Sequence, residues 1–177
     1  GKHLLDVGCG AGRETAEIWL KYGGDIRITA IDPVPGMIGM AIRDFEGLLA
    51  ETDPEHPRVT DANRPAFDVG SVTRLPYPDN SFDASFMLFV LHWTADPRKA
   101  IHELSRVVRP GGLIFGAQPF KPQANPNFNL VIRSSRNSYG NFWREDFRHW
   151  FAETGLTVSL ATPAGFFHAR NVPNEAV

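Results

Sequence analysis

Asp6-Val7-Gly8-Cys9-Gly10-Ala11-Gly12 (DVGCGAG) is the stretch on which the fold turns. It follows His3–Val7, a short and mainly apolar run that reads as a buried strand. It precedes Arg13–Tyr22, where Ala16, Ile18, Trp19, Leu20 and Tyr22 are interleaved with charges, as in a helix ended by Gly23-Gly24. Glycines at alternate positions leave no side chain where strand passes into helix, so a ligand can approach the backbone closely. Two ligand classes use such a turn. Dinucleotides seat a pyrophosphate over Gly-x-Gly-x-x-Gly at the helix N-terminus. Here position 13 is Arg, so the spacing is Gly-x-Gly-x-Gly. Asp6 would repel a diphosphate and attract an ammonium group.

Working outward, Arg27–Ile31 predicts a second strand, closed by Asp32-Pro33. Asp32 stands twenty residues beyond Gly12, where a carboxylate can accept hydrogen bonds from both ribose hydroxyls of an adenosine. That contact would not by itself separate the two ligand classes. Asp6 and the glycine spacing do: S-adenosylmethionine carries an α-amine and a sulfonium and no phosphate, and the sequence favours it over NAD. Met37–Ala50 has apolar residues at helical spacing. The polar, proline-bearing Glu51–Pro65 reads as a surface loop before a third strand, Ala66–Gly70. Phe82–Phe89 suits a central strand, and Pro97–Val107 puts Ala100, Ile101, Leu104 and Val107 on one helical face. Arg109-Pro110-Gly111-Gly112 reads as a turn into a strand at Leu113–Ala117. Pro119–Asn141 reads as irregular, Phe142–Thr154 as a helix stopped by Gly155, and Thr157–Thr162 with Phe166–Ala169 as a closing pair of strands. The alternation of strand and helix predicts an α/β, Rossmann-like three-layer sandwich. Its seven-stranded sheet would be mostly parallel with an antiparallel last strand.

Composition narrows the function classes. In 177 residues, 18 Lys and Arg stand against 20 Asp and Glu, a net charge of −2 that excludes a nucleic-acid binder held mainly by charge. The one cysteine, Cys9, excludes an internal disulfide and a cysteine-based zinc cluster, and it argues against arsenite methylation. The five histidines other than His92 (His3, His56, His102, His149 and His168) are scattered and lack metal-ligand spacing, so no metal is expected. The longest apolar run, Phe86–Leu91, is far short of the about 20 residues that span a bilayer. A soluble cytoplasmic protein is expected. The abrupt start, GKHLLDVG without Met, reads as a fragment or trimmed domain.

DVGCGAG, Asp32, LPYPDNSFD (75–83), LHW (91–93), DP (96–97) and RVVRPGG (106–112), in that order, resemble the class I S-adenosylmethionine-dependent methyltransferases. The similarity is greatest to the small-molecule branch that includes ubiquinone-type and sterol-type enzymes, and it runs from Lys2 to about Ala169. It implies a single methyltransferase domain over 1–177 without the N-terminal helices that close over the site in relatives. It also implies that Asp6, Gly8, Gly10 and Gly12, with the backbone of Cys9, hold the methionine part of the cofactor. Asp32 would bind the ribose, with Pro33 and Met37 on the adenine side. Gly70-Ser71-Val72 stands where many relatives have Gly-Asp-Ala, so Ser71 replaces a charged adenine contact with a neutral one. Leu88 and Phe89 would face the reacting methyl and keep water out.

His92, just past the fourth strand, is the candidate general base, with packing or capping as its alternative. Trp93 is the candidate substrate floor, or a core residue. Arg133, Arg136 and Arg144 near Tyr139, Phe142 and Trp143 are candidates for a substrate lid, against a plain solvated loop. The expected partner is a small-molecule methyl acceptor, not a nucleic acid. A non-catalytic cofactor-binding module and an NAD(P)-dependent oxidoreductase remain as alternatives.

Overall fold

The computed structural model describes residues 1–22, 25–52, 63–121, 142–161 and 166–171. Most of the polar stretch Glu51–Pro65, and Arg133, Arg136 and Tyr139, lie outside them. The elements run β1 (Lys2–Val7), α1 (Arg13–Tyr22), β2 (Ile26–Asp32), α2 (Pro35–Glu51), β3 (Ala66–Val69) and β4 (Phe82–Leu88). A one-turn 3-10 helix (Leu91–Trp93), α3 (Pro97–Val107), β5 (Val108–Ala117), β6 (Phe120–Lys121) and β7 (Phe142–Trp143) follow, then α4 (Arg144–Glu153), β8 (Thr157–Ala161) and β9 (Phe166–Arg170). Among the described residues no helix is long and apolar enough to cross a membrane.

Seven strands form one sheet in the order β3-β2-β1-β4-β5-β9-β8. The first five are parallel, and β9 runs antiparallel to both β5 and β8. The strands at the centre are apolar on both faces because helices cover both. On one face Trp19, Ile28 and Phe45 join α1 and α2 to β2, with the Trp19 and Phe45 rings edge to face at 5.0 Å. On the other, Leu5, Ile31, Met87 and Ile114 meet Ala100, Ile101, Leu104 and Val107 of α3 and Phe147 and Phe151 of α4. Phe147, Phe151 and Phe167 pack ring against ring at 4.9–6.0 Å, which ties α4 to the antiparallel strand. The Asp96 carboxylate caps α3 by accepting from Lys99 N at 2.9 Å, and Pro97 takes the first turn, where its missing N–H costs nothing.

Three expectations need correction. Arg109–Gly112 is not a turn ahead of β5 but a bulge within it, where the register to β4 jumps between Phe82↔Val108 and Ala84↔Leu113. The bulge holds because a Cβ at Gly112 would meet Asp83 O at 2.6 Å, and because Gly111 N donates to Asn171 O while Asn171 N returns a bond to Gly112 O. Phe142–Trp143 is strand, paired in parallel with Phe120–Lys121, so the helix starts at Arg144 and the segment after β5 is not wholly irregular.

At the N-terminal ends of the strands, the Asp83 carboxylate accepts from His3 N (2.7 Å), Arg109 Nε (2.8 Å) and Lys2 Nζ (3.5 Å). The His3 amide, foremost, holds Asp83 down to about 2. A cavity of about 270 Å³ opens beside this cluster, lined by Lys2, His3, Leu4, Ile26, Asp83, Ala84 and Arg109.

Candidate active site

The sheet order reverses between β1 and β4, and open α/β sheets take ligands at that switch point, beyond the carboxyl ends of the strands. The glycine turn lies there. It is tied to the neighbouring strand by Gly8 N and Cys9 N, which both donate to Ile31 O (2.7 and 3.1 Å), and Gly12 N donates back to Cys9 O (2.9 Å). Gly8, Gly10 and Gly12 all have positive φ, but they have different neighbours. A Cβ at Gly8 would come within 2.5 Å of Val90 Cγ2, and one at Gly12 within 2.8 Å of Ala41 Cβ. A Cβ at Gly10 would meet nothing within 4 Å among the described residues. Gly8 and Gly12 therefore let the protein pack against itself, and of the three Gly10 borders open space.

Carboxylates converge beneath and beside the turn. Asp6 is 2% exposed and accepts a hydrogen bond from Thr15 Oγ1 in the first turn of α1. Burial foremost, with Glu14 and Asp32 adding negative charge, pushes Asp6 up to about 7 despite the Thr15 bond. Asp32, at the end of β2, accepts from Gly10 N (3.1 Å) and Val34 N (2.9 Å), one on each oxygen, and each oxygen keeps a lone pair. Burial, then Asp6 and Asp32, push the Cys9 thiol up to about 12, so it is no nucleophile at neutral pH.

An S-adenosyl cofactor fits these residues. Asp6, a buried carboxyl held near neutrality with no cationic partner among the described residues, would gain from an ammonium; a diphosphate would face Asp6, Glu14 and Asp32 together.

The remaining candidate residues ring this edge. Pro33 and Met37 are exposed beyond Asp32. Ser71 Oγ is paired with Thr73 Oγ1 (2.9 Å) and accepts from Thr73 N (3.3 Å), while the Val72 side chain turns into the core. Leu88 is half-buried at the last position of β4. Phe89 is exposed with φ of 59°, and its N donates to Ala117 O at 2.8 Å. A phenylalanine in the left-handed region is uncommon and marks a backbone held by its surroundings. Trp93 is also exposed, so its indole is not a core residue.

His92 is not placed as the sequence suggested for a base. It is 2% exposed in the 3-10 helix, and burial pushes it down to about 4. Its Nδ1 lies 3.3 Å from Gln118 Nε2, and its ring packs on Trp93 at 4.9 Å. Gln118 and Thr15 are site residues that the sequence reading missed. The available signals were a polar residue directly after the fifth strand and a Thr on the inward face of the first helix.

A family model describing the methyltransferase domain matches residues 5–116. The chain is 29% identical over 170 residues to malonyl-[acyl-carrier protein] O-methyltransferase of Serratia marcescens, covering 95% of this chain and 54% of that protein. It is 28% identical over 169 residues to ajmaline N-methyltransferase of Rauvolfia serpentina, covering 92% and 51%. The chain thus spans about half the length of these curated relatives. A SAM-dependent methyltransferase structure from Aquifex aeolicus superposes with a TM-score of 0.70 at 22% identity, covering 96% of this chain and 81% of that one, a likeness of fold.

Proposed function

This chain belongs to the methyltransferase domain family, and from that premise we propose that it binds S-adenosylmethionine at the carboxyl edge of the sheet and methylates a small organic acceptor. The observation that carries the reading is the pairing of open space at Gly10 with the buried, cation-seeking Asp6. Asp6 and the turn backbone would take the amino-acid end of the cofactor. Asp32 would accept from the ribose hydroxyls, and Pro33, Met37 and the Ser71-Val72 backbone would flank the adenine. Leu88, Phe89 and Trp93 would enclose the reacting centre. A cytoplasmic site of action goes with this reading, supported by the lone cysteine.

When bound, the cofactor supplies a methyl on a sulfonium, whose departure as a neutral thioether needs no proton. The protein's own share is then positioning and exclusion of water, and a well-oriented pair of reactants can gain up to about 7–11 kcal/mol from positioning. The exposed aromatic faces of Phe89 and Trp93 suit both tasks, and Trp93 can also attract a cation over its ring. O- and N-methyltransferases both occur among the relatives, which supports a small-molecule acceptor. Calorimetric titration with S-adenosylhomocysteine and, separately, with NAD tests the reading. Heat with the former and none with NAD supports it; heat with NAD alone refutes it.

A further inference from the structure

Gln118, immediately after β5, is 1% exposed, yet both halves of its amide are engaged. Oε1 accepts from Leu91 N at 3.1 Å, while Nε2 donates to Pro119 O at 3.4 Å and to His92 Nδ1 at 3.3 Å. The two backbone partners fix the amide's orientation. Leu91 N–H can only donate and Pro119 C=O can only accept, so the amide oxygen must face Leu91. The amide nitrogen then faces His92, and having no acceptor capacity it requires an unprotonated Nδ1. A neutral His92 therefore carries its hydrogen on Nε2. Burial, which pushes the ring down to about 4, keeps it neutral at physiological pH. In that state neither ring nitrogen has a lone pair to offer an acceptor's proton.

We propose that Gln118 is a positioning residue for methyl transfer: it pins the Leu91–Trp93 turn, holds His92 as the Nε2–H tautomer and so sets the exposed Trp93 indole at the acceptor side of the site. The contact crosses from the end of β5 to the turn after β4, which are neighbours in the sheet. One buried amide thus joins two strand ends at the place where the acceptor would dock. That the fixed indole serves an acceptor rests on the methyltransferase reading above; the tautomer and the pinned turn do not.

Imidazole nitrogen spectra of the 177-residue chain test this directly, with the His92→Gln variant assigning the His92 signals. The wild type should show a protonated Nε2 and an unprotonated Nδ1, without titration between pH 5 and 8. Gln118→Glu keeps an oxygen for Leu91 N–H but places a carboxylate beside Nδ1. It should invert the tautomer to Nδ1–H and bring His92 into titration, with a midpoint higher by about 1–3 pH units. Gln118→Leu should leave a mixed tautomer and increase acrylamide quenching of the emission that Trp93→Phe removes. S-adenosylhomocysteine affinity, measured on the same samples, reports the cofactor reading separately, and its absence in the wild type would count against that reading alone. Wild-type His92 with hydrogen on Nδ1 would overturn the proposal even if no variant folds. So would an unchanged tautomer in the Gln118→Glu variant.

Discussion

Substituting the three turn glycines one at a time by alanine should separate packing from binding. All three sit at positive φ, where a Cβ costs about 1 kcal/mol or somewhat more from the backbone alone. At Gly10 nothing is added to that cost, because the new methyl meets no described protein atom within 4 Å. At Gly8 the methyl would lie 2.5 Å from Val90 Cγ2, and at Gly12 2.8 Å from Ala41 Cβ and 3.2 Å from Phe67 Cε1. Overpacking of that kind adds about 1–3 kcal/mol. Gly10→Ala should thus lower Tm by only about 2–4 °C, and Gly8→Ala and Gly12→Ala by about two to four times as much. Affinity should follow a different order. The Gly10 methyl would occupy ligand space, weakening S-adenosylhomocysteine binding by roughly tenfold to a hundredfold in Kd. Thermal unfolding and calorimetric titration on the same preparations read both quantities. The reasoning fails if Gly10→Ala unfolds as early as Gly8→Ala, or if it binds S-adenosylhomocysteine as tightly as the wild type.

Asp6→Asn should stabilise the protein at pH 8. Folded Asp6 keeps its proton up to about 7 against an ordinary 3.8, so the native state binds the extra proton across that interval and stability falls as pH rises through it. The cost at pH 8 is about 4 kcal/mol, which Asn avoids. Urea midpoints for the two proteins should converge towards pH 4 and diverge at pH 8, and a gap independent of pH would contradict the burial argument. Asp6→Asn should also lose S-adenosylhomocysteine affinity. Arg106 donates to the carbonyls of Leu75 and Tyr77 and to the carboxylates of Asp79 and Glu103, so Arg106→Ala should cost about 1–3 kcal/mol. It should also open residues 75–79 to limited proteolysis, and unchanged digestion would refute that anchoring. Ser85 is fully buried and its Oγ has no hydrogen-bond partner among the described residues, so Ser85→Ala should raise stability by up to about 1 kcal/mol in urea unfolding.

What the sequence made legible was what local chemistry decides. DVGCGAG announces a strand, a bend and a helix within a few residues. Ala100, Ile101, Leu104 and Val107 announce a buried face by spacing alone, and all four are fully buried. Arg109–Gly112 misled because Pro and Gly are breakers in isolation, whereas here a long-range pairing to Asn171 holds them inside a strand. Trp143 belongs to a strand because of a partner more than twenty residues earlier. His92 looked like a base for the same reason. Its burial and its Gln118 partner arise only once β4 and β5 lie side by side. Among the glycines, nothing in the spacing told Gly10 from its neighbours; only Val90 and Ala41, from distant elements, make that distinction.

The Asp83 cluster fastens the opening residues of β1 to β4 and β5 at the foot of the sheet, at the end opposite the glycine turn. Because the rivet and the rim share no side chains, the exposed Phe89 and Trp93 can be exchanged for a new guest molecule without touching the base. Those two positions, with Leu91 left in the core and Asp96 on its cap of α3, are the engineering route that such a separation invites.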